Sequence, residues 1–191
     1  MKIQHSLFGF MVFIGVLMAA LPANAYVTTK QSARVLNDTT ALFTITYRFG
    51  FSNRELYIPV SAVRVASSTA RDSVGYSIID THKDILATGS TTALVLSTAT
   101  IKDGMYHLPK GKATDFTLVT LLTIPAGMTP EKYALQATSL PFDMIADSKT
   151  IKGQLNPSEL QYYVTPAIAV PAVRAKIKLV GITHTLRTTK K

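Results

Sequence analysis

Residues 41–51 read ALFTITYRFGF. Phe43, Ile45, Tyr47, Phe49 and Phe51 alternate with Thr44, Thr46, Arg48 and Gly50. Five large apolar side chains at every second position, with polar or small residues between them, predict a strand that buries one face and wets the other. Working outward, the same period recurs. LYIPV (56–60) is extended, and Pro59, which cannot donate to a ladder, places it at an edge or a bulge. Val65 to Gly75 is small and polar and reads as a loop. YSIID (76–80) and ILATG (85–89) flank a polar turn and read as a hairpin. TALVLSTATI (92–101) is strand-like and ends at Lys102-Asp103-Gly104, a turn in which the glycine can take positive φ.

The stretch from Tyr106 to Leu140 repeats a phrase. LPKG leads into FTLVT, and IPAG leads into YALQA. Each copy is a strand end, a Pro-Gly turn and a new strand led by an aromatic residue. Thr129-Pro130-Glu131 offers a helix start with proline at the first position. The alternation of Tyr133, Leu135, Ala137 and Ser139 favours a strand instead. LQYYVTP (160–166) and VRAKIKLVGITHTL (173–186) complete the set, the latter with a phase slip at Gly181 that a bulge would absorb. Eight to ten short strands with turn signals between them predict an all-β fold, an antiparallel immunoglobulin-like β-sandwich. The doubled P-x-G phrase resembles segments of exported bacterial immunoglobulin-like and fibronectin-like domains. The resemblance spans about thirty-five residues, and what it implies is a fold, with no functional motif attached.

The ends carry different information. Lys2, the apolar run from Leu7 to Leu21 and the small-x-small Ala23-Asn24-Ala25 predict a signal peptide over residues 1–25. A retained membrane anchor is the competing reading. The remaining chain is expected to be one domain over 26–186 with a basic tail at 187–191, exported to the periplasm, the cell surface or the medium. No cysteine occurs, so no disulfide or lipidated N-terminal cysteine is available. From Tyr26 to Thr165 thirteen lysines and arginines face all eleven acids. From Pro166 onward Arg174, Lys176, Lys178, Arg187, Lys190 and Lys191 face none. These six are the candidate contact to an anionic surface, such as an envelope polymer or lipid head groups. Lysines on an edge strand also discourage sheet-to-sheet pairing, which is the alternative role for them.

Motifs of known chemistry are sparse. No G-x-S-x-G elbow, H-E-x-x-H pair, phosphate loop or EF-hand loop is present. No cofactor is implied. The best local constellation is Asp80, His82 and Asp84, whose i, i+2, i+4 spacing would align two carboxylates and an imidazole on one face of a strand for Zn²⁺ or a similar ion. In a turn the same residues are ordinary turn formers, with Lys83 competing for the carboxylates. Lys110-Gly111-Lys112 reads as a solvated turn rather than an anion cradle. Asn37-Asp38-Thr39 matches a glycosylation sequon that a bacterial context would leave unused. Tyr162 and Tyr163 would face opposite sides of a strand, and the absence of tryptophan weighs against a sugar platform.

The expected function is therefore non-enzymatic. The chain reads as an exported β-sandwich acting by surface contact, in adhesion, assembly or structure, with a protein or anionic envelope polymer as partner. The alternative is a ligand- or metal-binding module built on Asp80, His82 and Asp84. An enzyme would need His107 or His184 gathered with acids in a concave pocket. Sequence-specific nucleic-acid binding is not expected, because no reading helix or aromatic RNA-binding motif appears.

Overall fold

The computed structural model describes residues 26–50, 54–65, 71–129, 131–146, 148–155 and 163–172. The expected signal peptide, the last strand at 173–186 and the basic tail lie outside these residues. The described chain is all-β, with no helix. Its strands are β1 (Tyr26–Asn37), β2 (Thr40–Gly50), β3 (Glu55–Pro59), β4 (Ala62–Arg64), β5 (Val74–Ile79), β6 (Ser90–Ser97), β7 (Thr100–Lys102), β8 (Met105–Leu108), β9 (Thr114–Thr123), β10 (Glu131–Ala146), β11 (Lys149–Leu155) and β12 (Ile168–Val170).

They form two sheets. In the smaller the order is β1-β2-β9-β6, antiparallel throughout. In the larger the order is β4-β5-β10-β3-β8-β7, with β11 and β12 also on β10. Twelve strands exceed the eight to ten expected, and one pair departs from the antiparallel expectation. β4 runs parallel to β5, Ala62 against Val74 and Arg64 against Tyr76. Val74 and Gly75, read as loop, are already strand.

Strand β2 explains why two sheets form. Ala41, Phe43, Ile45, Tyr47 and Phe49 are buried, while the residues between them are partly or fully exposed. β9 repeats the pattern beside it, with Phe116, Leu118 and Leu122 inward. From the larger sheet Ile58, Ile78, Leu108, Leu135, Leu140 and Met144 join the same buried cluster. An edge-on contact between Tyr106 and Phe116, with ring centres 6.3 Å apart, links the two sheets. So does the Tyr106 hydroxyl, which donates to the Val95 carbonyl at 3.0 Å.

The sheet switch lies inside the run 92–101, which reads as one strand in sequence. Ser97 breaks it. Its hydroxyl donates to the Asp115 carbonyl at 2.7 Å and accepts the Ala99 N–H at 3.1 Å. This local hydroxyl-to-backbone turn competes with the ladder. The chain leaves the small sheet after Ser97 and joins the large one at Thr100. The two P-x-G phrases are turns as expected, between β8 and β9 and between β9 and β10, with Gly111 and Gly127 both at positive φ. Residues 131–140 are strand, as the alternation predicts, and the strand continues through Pro141 to Ala146.

Candidate functional site

The turn after β5 is built by Asp80. Its Oδ1 accepts the backbone N–H of His82 at 2.8 Å and that of Asp84 at 3.0 Å. The Asp80 N–H donates to the Asp84 carbonyl at 3.0 Å, and Lys83 takes φ 67. The expected hairpin is thus a tight turn whose second arm is short. Ile85 bridges back to Ile79, and Leu86 donates to the Ile78 carbonyl at 2.9 Å. The residues 80, 82 and 84 are not in an extended strand, so the alignment expected of them does not arise. Asp84 supplies a backbone N–H, and its carboxylate stands outside the cluster that forms.

That cluster joins Asp80 and His82 to Glu131. One ligand atom from each lies within 4.8 Å of the other two. The pairing register brings them together. Ala134 opposes Ile79 and Leu135 opposes Ile78, so continuing the same register carries Glu131 and Tyr133 toward the turn. Glu131 and Tyr133 are two apart and share a face of β10. The buried Tyr133 phenol is held above its ordinary pKa, first by burial, then by the charge of Glu131 and a hydrogen bond to it, and by the charge of Asp80. Glu131 was legible only as a helix-start residue. Nothing local in the sequence connects it to the 80–84 turn.

A second polar group sits on the large sheet. His107 Nε2 lies 3.1 Å from Glu55 Oε2, and the Tyr57 hydroxyl donates to the same oxygen at 3.3 Å. The Tyr57 and His107 rings stack with centres 4.8 Å apart, as their cross-strand register places them. Beside them is a shallow, open pocket of about 200 Å³ with Tyr57, Lys102, Asp103 and Asp143 on its walls. His107 is thus gathered with an acid, next to this pocket rather than in it.

The remaining candidates are dispersed. Lys110, Gly111 and Lys112 form an exposed turn. Asn37-Asp38-Thr39 is the β1–β2 turn, where Asn37 Oδ1 accepts the Thr39 N–H at 3.0 Å. Tyr163 is half-buried against the core, and its carbonyl accepts the Ala137 N–H at 2.9 Å. Tyr162, His184 and the basic set Arg174, Lys176, Lys178, Arg187, Lys190 and Lys191 lie outside the described residues.

What sequence reasoning missed is the outer face of the small sheet. Leu94 and Leu96 on β6 are 59% and 51% exposed. Across the face, Leu94 opposes Val119 and Val119 opposes Thr44. Leu96 opposes Thr117 and Thr117 opposes Thr46. Hydroxyl pairs fill the middle, Thr46 with Thr117 at 3.0 Å and Thr44 with Ser32 at 2.7 Å. Lys30 and Arg34 are exposed on β1 at the far rim. The alternation in 92–97 was readable, but which face of the sheet lacked a cover was not.

No family model matches the chain, and no curated protein matches it. Among solved structures it is similar to the crystal structure of the yeast GGA1 GAE domain. The match covers 69% of this chain and 90% of that one, at 12% identity and a TM-score of 0.27. A likeness this distant assigns neither function nor partner.

Proposed function

We propose that this protein is an exported, non-enzymatic immunoglobulin-like β-sandwich that acts by surface contact in the cell envelope or outside the cell. The observation that carries the reading is the exposed Leu94–Leu96 pair on β6, at the rim of a sheet face that no described residue covers. Soluble sheets ordinarily place charge or proline at such rims, because exposed apolar edge positions invite association. Here leucines stand at one rim, a hydroxyl ladder in the middle and Lys30 and Arg34 at the other. Such a face suits a partner with both apolar and anionic groups, a protein or an anionic envelope polymer. The six basic residues from Arg174 to Lys191 would add an electrostatic contribution to the same contact.

The test is co-sedimentation of the mature protein with the insoluble envelope fraction of its own cells, comparing wild type with the Leu94→Ser, Leu96→Ser double variant. The expected result is binding that falls several-fold in the variant, with the fold unchanged by circular dichroism. Binding that also weakens with salt would support the basic contribution. No sedimentation of wild type, or equal sedimentation of both proteins, would overturn the reading.

A further inference from the structure

We propose that Asp80, His82 and Glu131 form a binding site for one divalent transition-type cation, with Zn²⁺ the ion whose chemistry fits best. The donor set is one imidazole and two carboxylates, converging from a turn and from the start of a strand far along the chain. Imidazole with carboxylate suits Zn²⁺ and its neighbours in the first transition row. Mg²⁺ and Ca²⁺ prefer oxygen ligands alone and, for Ca²⁺, six or more of them.

Three features of the site point to a cation rather than to a chance meeting of polar groups. The first is charge. Two carboxylates meet here, and among the described residues no lysine or arginine forms an ion pair with Asp80 or Glu131; the pairs Arg48–Asp115, His107–Glu55 and Lys152–Asp143 all lie elsewhere in the fold. Lys83, the adjacent cation that might have neutralised the turn, makes none. The second is orientation. Asp80 is fixed through Oδ1 by two backbone N–H groups, which hold its carboxylate in place beside His82. A carboxylate fixed by hydrogen bonds to its surroundings is how metal sites preset a ligand. The third is spacing. Zn–N and Zn–O bonds of about 2.0–2.2 Å put the ligands of a tetrahedron about 3.4 Å apart. Donor atoms already within 4.8 Å need to close by little more than an ångström, and the exposed His82 ring is free to swing.

Three protein ligands leave one tetrahedral position to water. The bound ion would tie the 80–84 turn to the first residue of β10, so its effect is that of a cross-link between two loop-borne ends of neighbouring strands. The set differs from the contiguous Asp80-His82-Asp84 trio in one member, and that difference makes the proposal testable.

The experiment is titration of the metal-free mature protein with Zn²⁺ alone, in competition with a chromophoric chelator, for wild type and three variants. Wild type should take up one Zn²⁺ per chain. His82→Ala and Glu131→Gln should each weaken binding by tenfold or more. Asp84→Asn should bind as wild type does. Circular dichroism and melting of the metal-free variants establish that they are folded, and the exposure of His82 makes its variant the safest of the set. Absence of Zn²⁺ uptake by wild type overturns the proposal. So does uptake that survives both His82→Ala and Glu131→Gln. Loss in Asp84→Asn with Glu131→Gln unaffected would assign the ion to the contiguous trio and overturn it as well.

Discussion

Replacing Tyr47 by phenylalanine deletes one oxygen from the middle of the core. The Tyr47 ring packs against Phe49 and Phe116, with ring centres 6.1 and 6.5 Å away, and these contacts survive the substitution. The hydroxyl itself is fully buried and meets no hydrogen-bond partner among the described residues. A buried, unpaired hydroxyl costs about 1–3 kcal/mol. Tyr47→Phe should therefore stabilise the fold by about 1 kcal/mol or more, raising Tm by roughly 2–4 °C per kcal/mol in a domain of this size. A second signature comes from pH. Burial holds the Tyr47 phenol well above its ordinary pKa. The folded state keeps this proton where the unfolded chain loses it, so the unfolded state binds fewer protons above about pH 10. Stability is thus fully present below that pH and is lost as pH rises further, by about 1.4 kcal/mol per pH unit for one such group. The variant lacks this contribution, and its alkaline limb should be shallower by that amount, whatever the other tyrosines do in both proteins. Urea unfolding at pH 7 and across pH 9–11.5 measures both effects. A variant less stable than wild type by 1 kcal/mol, with an unchanged alkaline slope, would show that the hydroxyl has a partner and refute the reasoning.

Gly75→Ala should destabilise by about 1–3 kcal/mol, because the added Cβ would run into Ser139 Oγ and come within 2.6 Å of Thr138 Oγ1; urea midpoints unchanged within error would contradict that packing. Ser97→Ala removes both hydrogen bonds of the sheet switch and should cost about 1–2 kcal/mol, with faster amide exchange at Ala99 as the local readout. The Leu94→Ser, Leu96→Ser double variant should leave stability within about 0.5 kcal/mol, since exposed positions contribute little to folding; a larger loss would mean that these leucines are covered.

The sequence reading succeeded where burial is one-sided. In β2 and β9 the inward rows are written as alternation, because a strand with one wet face must alternate. It failed where a strand has no buried row to declare. β1 is exposed or half-exposed along 30–37, and β11 is mostly exposed, so neither stretch carries an alternation from which a strand could be read. Both are held chiefly by backbone pairing to β2 and β10, and such pairing leaves no mark in side-chain chemistry. The site divides in the same way. Asp80 and His82 were legible because they are neighbours in the chain. Glu131 was not, because only the register between β5 and β10 delivers it, and register is a property of two segments at once. The parallel β4–β5 pair was hidden for the same reason.

The order β1-β2-β9-β6 also governs when the protein can fold. β9 lies between β2 and β6, although it follows both in the chain. Until Thr123 has been made, β1 and β2 are a lone hairpin, marginal in water, and β6 has no neighbour to pair with. The larger sheet waits longer still, since β5 and β3 both dock on β10. A chain emerging from its N-terminus therefore stays open, with the Phe43–Phe49 row unburied, through most of its synthesis. Long-range pairing of this kind folds slowly. The delay lengthens the interval in which that row can meet other unfolded chains, and so the interval in which the chain is most prone to aggregate.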